Sequence, residues 1–181
     1  MGLLPAGPAP RSAAPGQPVF YYDLGSPECY LAAERVLSEL GADGQVPEFE
    51  PVLARELGVA PEPHGEPERT EIERRARELG IQPIRWPATW PPDTGLAMLA
   101  ATYAKRVGRG VAFSLAAFRQ AYAGGRDLGD QDTVLIAGAA CEMHPAALLK
   151  GIGLRSTAQA LAQATERARR HGVSALPAVT E

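Results

Sequence analysis

The sequence predicts an α/β domain in which a long helical segment interrupts a small sheet. An apolar run from Val19 to Tyr22, a helical stretch from Pro27 to Leu40 and a β-type run from Glu48 to Leu53 predict a strand, a helix and a second strand. A unit this compact favours a parallel pair joined by a right-handed crossover. Helical patterning follows the Pro-rich stretch from Pro61 to Pro67, and a proline-led apolar segment, Leu176 to Val179, predicts a last short strand.

The chain divides into four predicted parts. Residues 1–17 are rich in Pro, Ala and Gly and predict a disordered tail, because they lack the basic start and uninterrupted apolar core of a signal peptide. Residues 18–65 form the first part of the sheet-containing domain, and residues 66–155 form the helical insertion. Residues 156–181 return to the domain and complete only part of it.

Apolar periodicity and capping residues predict the helices. The first helix buries Tyr30 and Ala33 on one face and ends at Gly41. Five further helical ranges, together with a short turn of helix after Pro145, are predicted: 68–79, 94–107, 111–123, 133–143 and 157–171. Asp132 and Ser156 are the predicted N-caps of the last two.

Composition and cysteine spacing narrow the class of protein. A net charge of −3 argues against a nucleic-acid surface, and no segment reaches transmembrane length. Cys29 and Cys141 lie too far apart to suggest a disulfide framework, which favours a reducing cytoplasm. His64, His144 and His171 are scattered, so the sequence predicts no metal site.

Ser26-Pro27-Glu28-Cys29 is the strongest functional signal. It has the spacing of a Cys-x-x-Cys redox pair with the first thiol replaced by a hydroxyl. A serine there cannot form a disulfide, but it can donate a hydrogen bond to the sulfur of an external thiol at the electropositive start of a helix. From spacing alone, a helix N-cap followed by proline is the more common explanation of Ser26, and the two roles are compatible. Cys29 is by default a small buried hydrophobe.

Pro177 is the second signal. A proline entering an apolar strand belongs at the strand's start or at a sheet edge, where a cis bond can occur. On sequence alone, a trans turn proline is the default.

These two segments carry a family resemblance. With Tyr22-Asp23-Leu24-Gly25-Ser26-Pro27 near the start and Gly172-Val173 leading to Leu176-Pro177 near the end, the chain resembles the DsbA-like thioredoxin superfamily. Residues 23–32 are similar to its serine-type branch, which contains 2-hydroxychromene-2-carboxylate isomerase and the kappa-class glutathione transferases. The resemblance covers about residues 19–179 and implies a thioredoxin-like fold with a helical insertion.

The resemblance also implies a site. Ser26 would contact the sulfur of glutathione, or of another low-molecular-weight thiol, and Pro177 would be the cis-proline beside it. Leu176 would offer its backbone N–H and C=O groups to the cysteinyl part of the cofactor. In the isomerase mechanism the thiolate adds reversibly to a conjugated carbonyl compound, so that a ring opens and a bond rotates before the thiol leaves.

Trp86, Trp90 and Tyr103 are candidate walls of a pocket for a small aromatic substrate, with packing in the core as the alternative for each.

The chain departs from the family pattern in three places. It stops at Glu181, where the family usually continues through further strands, a loop that helps to hold glutathione and a terminal helix. We therefore expect an incomplete sheet, whose open edge would favour pairing with another chain and is compatible with a homodimer. Leu99 stands where related proteins often have an arginine, and the basic and aromatic residues often found ahead of the second helix are not evident around residues 64–70.

Three functions follow as hypotheses. The first is a thiol-dependent isomerase or transferase that acts on a conjugated aromatic or unsaturated carbonyl compound. The second is a DsbA-like disulfide oxidoreductase that uses Cys29 alone, which would form mixed disulfides at that residue. The third is a catalytically inactive thioredoxin-like binding module.

Overall fold

The computed structural model describes residues 16–40, 46–59 and 65–180. Most of the predicted tail, the predicted helix end at Gly41 and His64 lie outside the described residues. The strands and helices follow one another in this order: β1 Val19–Tyr22, α1 Pro27–Leu40, β2 Glu48–Pro51, α2 Ala54–Leu57, α3 Glu66–Glu78, α4 Gly95–Arg106, α5 Gly110–Tyr122, α6 Gln131–Ala140, α7 Pro145–Ile152, α8 Arg155–Arg170 and β3 Ala178–Thr180.

The described strands form one sheet with the order β2-β1-β3. β1 and β2 are parallel, with Phe20 opposite Phe49, as the compact strand–helix–strand unit predicts. β3 runs antiparallel to β1, and Val179 lies opposite Phe20. The predicted α/β class, with helices between the second and third strands, is confirmed.

The sheet is covered on both faces because the side chains of β1 alternate. Phe20 and Tyr22 point into the main core, where Tyr22 packs against Phe118 of α5 with ring centroids 5.8 Å apart. Tyr21 points to the other face and packs with Ala164 and Ala168 of α8. The start of α1 therefore lies at the end of a strand that is fixed from both sides.

A charge cluster joins β2 to the helices. Lys105 of α4 places its Nζ atom 2.5 Å from Glu48 Oε1 and 2.6 Å from Glu50 Oε2. Arg167 of α8 lies 3.3 Å from the same Glu50 oxygen. Because Glu50 is buried, these two cations compensate a carboxylate that would otherwise be costly to bury.

Helices α3, α6 and α8 each begin two residues earlier than the sequence predicts, and α5 begins one residue earlier. The N-cap of α6 is Asp130 rather than Asp132, because the side chain of Asp130 accepts a hydrogen bond from the Asp132 backbone N–H at 3.0 Å. α8 begins at Arg155, with Leu154 rather than Ser156 at the N-cap position and no side-chain cap.

Among the described residues, no helix is both long and apolar enough to cross a membrane.

Candidate functional site

Ser26 caps the start of α1. Its Oγ atom accepts a hydrogen bond from the Cys29 backbone N–H at 3.1 Å, and its C=O accepts from the Tyr30 N–H at 3.2 Å. The hydroxyl itself donates to Glu28 Oε2, also at 3.1 Å. The side chain is nearly enclosed, with the residue 5% exposed. The N-cap role is therefore confirmed, and it places a hydroxyl donor at the positive end of the helix dipole.

Asp23 fixes the turn that presents Ser26. The residue is 5% exposed, and its carboxylate accepts three hydrogen bonds from three different parts of the chain. Gly25 N–H donates to Oδ1 at 2.8 Å, the Thr94 hydroxyl donates to Oδ1 at 3.2 Å, and Ala54 N–H donates to Oδ2 at 3.0 Å. The turn after β1, the start of α2 and the start of α4 thus meet at one carboxylate.

Burial raises the pKa of Asp23 above its usual value, and the three donors oppose that rise only in part. Asp23 belongs to the motif that carries the family resemblance, but no role was predicted for it. The signal that could have found it is an aspartate two residues before a glycine, which is typical of a turn closed by its own side chain.

Further contacts hold the turn between Asp23 and Ser26. Leu24 donates its N–H to the sulfur of Met98 at 3.3 Å and accepts a hydrogen bond from the Tyr122 hydroxyl at 3.1 Å. A side chain at Gly25 would meet the methyl group of Thr94 at 3.1 Å, which is tighter than ordinary packing. A larger residue at position 25 would therefore require Thr94 to move by a few tenths of an ångström.

Cys29 is sealed inside the core. It is 0% exposed, and burial raises the pKa of its thiol to about 12. A reactive cysteine needs a lowered pKa and access to a partner, and Cys29 has neither. The other cysteine, Cys141, is also buried and free. Cys29 is therefore the small buried hydrophobe that its default interpretation predicts, and this weighs against the oxidoreductase hypothesis.

The Leu176–Pro177 peptide bond is cis. This agrees with what the family resemblance implied and shows that the trans default was wrong. The bond stands immediately before β3, and the two residues form one end of a groove of about 380 Å³ along α1. The other lining residues come from α1 and from the end of α3: Glu28, Leu31, Ala32, Arg35, Val36, Glu39, Arg75 and Leu79. The Trp90–Pro91 bond is also cis, which the sequence did not predict.

Glu28 links Ser26 to this groove, because its carboxylate accepts a hydrogen bond from the Ser26 hydroxyl and also belongs to the groove wall. Of the three predicted site residues, Leu176 and Pro177 line the groove, and Ser26 is joined to it through Glu28. Their roles as thiol-binding groups stay a prediction.

The three predicted pocket residues lie elsewhere. Trp90 packs edge-on against Trp86 at 5.3 Å and against Tyr122 at 5.9 Å. Trp86 also donates its indole N–H to Glu73 at 2.8 Å. Tyr103 faces α7, where a side chain on Gly151 would come within 2.4 Å of its ring.

None of the three aromatic residues lines the groove beside Pro177. These contacts match the core-packing alternative, and a substrate role stays a prediction.

Among the described residues, no group of three His, Cys, Asp or Glu side chains is placed to hold a metal ion.

Comparison with known families identifies the fold. A family model described as DSBA-like thioredoxin domain matches residues 19–180. The chain belongs to this family. The match covers the strand–helix–strand unit, the helical segment and β3, so the thioredoxin-like fold implied by the resemblance is confirmed for this DSBA-like domain. No curated protein matches it significantly.

Three solved structures are similar to this DSBA-like domain. 2-Hydroxychromene-2-carboxylate isomerase is 17% identical, with a TM-score of 0.77 over 91% of this chain and 84% of that chain. A probable DsbA oxidoreductase from Streptomyces coelicolor is 16% identical, with a TM-score of 0.71 over 90% and 78%. The cytosolic disulfide reductase DsbM from Pseudomonas aeruginosa, solved with GSH, is 18% identical, with a TM-score of 0.65 over 90% and 84%. At these identities the neighbours establish the fold and not the activity.

Proposed function

We propose that this DSBA-like domain is a thiol-dependent isomerase or transferase that acts on a conjugated aromatic or unsaturated carbonyl compound, with glutathione as the thiol. One observation carries the proposal: a serine hydroxyl occupies the position of the first redox cysteine at the start of α1, while Cys29 is buried. A site that cannot supply a reactive thiol itself is expected to take one from an external ligand, with Ser26 as the hydrogen-bond donor.

The electrostatics of the helix start support a bound thiolate. Backbone N–H groups at a helix N-terminus favour negative charge, and a hydroxyl that donates to sulfur adds a charge-assisted hydrogen bond. Leu176 lines the groove, where its backbone N–H and C=O groups would pair with an extended ligand. The lining side chains of Leu31, Val36 and Leu176 supply an apolar surface for the ligand.

In the proposed reaction the bound thiolate adds to the electrophilic carbon of the conjugated carbonyl compound. After rotation about the bond that loses its double-bond character, the sulfur leaves with the electron pair of the carbon–sulfur bond and the double bond re-forms. The thiol is regenerated and no net oxidation occurs. In a transferase reaction the carbon–sulfur bond would instead persist in the product.

The structural neighbours are consistent with this proposal. The isomerase has a TM-score of 0.77, and DsbM was solved with GSH. DsbM is described as cytosolic, and we extend a cytoplasmic location to this chain as part of the proposal.

Glutathione is expected to stabilise the protein more than S-methylglutathione does. A ligand that binds only the folded state raises the Tm by mass action, and the methylated sulfur can neither ionise nor act as a charged acceptor for Ser26. Thermal unfolding is measured with up to millimolar concentrations of each compound. Equal shifts would show that the thiol is not recognised, and no shift with either would favour a binding module. Turnover is then sought with conjugated carbonyl compounds in the presence and absence of glutathione.

Arg75→Ala is expected to weaken glutathione binding about three- to tenfold. Arg75 lines the groove and forms no ion pair with a described residue, so its guanidinium can bind a carboxylate of the tripeptide. The matched control is Arg77→Ala, which removes an exposed arginine from the same helix outside the groove lining. Calorimetric titration measures both affinities; equal losses in the two variants would attribute the effect to net charge.

A further inference from the structure

Glu28 accepts the Ser26 hydrogen bond that a bound thiolate would need. The Ser26 hydroxyl has one proton, and in this structure it points to Glu28 Oε2 at 3.1 Å. The oxygen of the same hydroxyl is already bonded to the Cys29 N–H. A sulfur anion beside Ser26 can therefore gain its hydrogen bond only if Glu28 gives it up.

Glu28 also lines the groove proposed for the ligand. Ser26 is 5% exposed and is not among the groove's lining residues, whereas Glu28 lines it together with Leu176 and Pro177. A thiolate bound to the Ser26 hydroxyl would therefore lie close to the Glu28 carboxylate. Both anions would then share the positive end of one helix, and like charges at that distance repel each other.

Charged groups of both signs surround Glu28. Arg35, Glu39 and Arg75 also line the groove, and Arg35 is engaged with Glu39 at 2.6 Å. On the strand side, Asp23 is a further acid. The negative charge of Glu28 reaches the buried end of α1, because it adds to the dominant effect of burial in raising the pKa of the Cys29 thiol.

We infer that Glu28 is a specificity-determining residue that competes with the bound thiolate for the Ser26 hydroxyl and so holds down the affinity of the site for thiols. This inference rests on the proposed function. On binding, the thiol S–H bond breaks and its proton passes to solvent. The Ser26 O–H bond stays intact and exchanges its acceptor from the carboxylate oxygen to the sulfur, and Glu28 remains charged and turns away.

Glu28→Gln is expected to bind glutathione about three- to tenfold more tightly at pH 7. This is because a fall of one unit in the pKa of the bound thiol is a tenfold change in its ionisation equilibrium. Absorbance of the bound thiolate near 240 nm, followed against pH, is expected to show a pKa about half a unit to one unit lower than in the wild type. Glu28→Ala, which leaves no acceptor for Ser26, is expected to change both readouts in the same direction.

The matched control is Glu34→Gln. Glu34 lies on the same helix, about two turns from Ser26, but neither it nor its ion-pair partner Arg119 lines the groove, so its neutralisation is expected to leave the affinity within about twofold. In a Ser26→Ala background the gain from Glu28→Gln is expected to shrink, because the contested hydroxyl is gone. The Tm of each variant without ligand confirms that it is folded.

The outcomes separate the two proposals. If the wild type binds glutathione in a Ser26-dependent way and Glu28→Gln binds it no more tightly, the proposed function stands and this inference is overturned. If glutathione binds to Glu28→Gln and not to the wild type, the inference is supported. If neither protein binds glutathione, both proposals fail.

Discussion

Ser26→Ala is expected to weaken the proposed glutathione binding by about ten- to a hundredfold, because a hydrogen bond to a charged group is worth about 1.5–3 kcal/mol. The same change removes the N-cap of α1 and is expected to lower the free energy of unfolding by about 1 kcal/mol. Calorimetric titration with glutathione measures the first effect. Urea unfolding without ligand measures the second.

A second cap separates these two effects. Asp130→Ala removes the side chain that accepts the Asp132 N–H at the start of α6 and is expected to cost a similar amount of stability. Its glutathione affinity should match that of the wild type. If Ser26→Ala keeps wild-type affinity, or if both variants lose affinity equally, Ser26 acts only as a cap and the proposed function is wrong.

Asp23→Asn has the largest expected effect on stability, a loss of about 2–3 kcal/mol in the free energy of unfolding. The carboxylate accepts hydrogen bonds through both oxygens from Gly25, Ala54 and Thr94. The amide of asparagine has an NH2 group in place of one carboxylate oxygen. That donor would face another hydrogen-bond donor in a buried position. Because the same contacts fix the turn before Ser26, glutathione affinity should fall as well.

Asp93→Asn is the matched control for this change. Asp93 also accepts a backbone N–H two residues later, from Gly95 at 3.0 Å, but that hydrogen bond is exposed. The expected loss is below about 0.5 kcal/mol. Similar losses from the two variants, measured by urea unfolding, would show that Asp23 is not the centre of a buried junction.

The pH dependence of stability gives an independent readout of Asp23. Burial raises its pKa in the folded protein above the unfolded value of about 3.9, so the folded state binds this proton more tightly. The contribution of Asp23 to the free energy of unfolding is therefore fully present below about pH 3.9 and declines as the pH rises through the folded pKa. The stability difference between the wild type and Asp23→Asn should shrink over that range; a widening difference would contradict the raised pKa.

Local patterns predicted the regular elements well. β1 and α1 were placed at their observed bounds, because an apolar run and a Ser-Pro helix start act over neighbouring residues. The start of α6 was placed two residues late. Asp130 and Asp132 are both good capping residues, and only the hydrogen bond in the folded chain shows which one is used.

Assigning roles to single side chains was harder. The aromatic residues Trp86, Trp90 and Tyr103 could line a pocket or fill a core with the same sequence pattern. Their partners, Glu73, Tyr122 and Gly151, lie on helices elsewhere in the chain, so no local signal distinguishes the two uses. The cis state of the Leu176–Pro177 bond likewise could not be predicted from the local sequence, because a bond before proline can be cis or trans.

By itself, the sequence determined the order of the strands and of every helix except the short α2, and the presence of a serine at the start of α1, because periodicity and capping depend on residues a few positions apart. Only the tertiary structure decided that Cys29 is fully buried, that Glu28 accepts the hydrogen bond of the Ser26 hydroxyl and that Asp23 joins three segments. Those properties depend on burial and side-chain geometry, and one of the decisive contacts joins residues as far apart in the chain as Asp23 and Thr94.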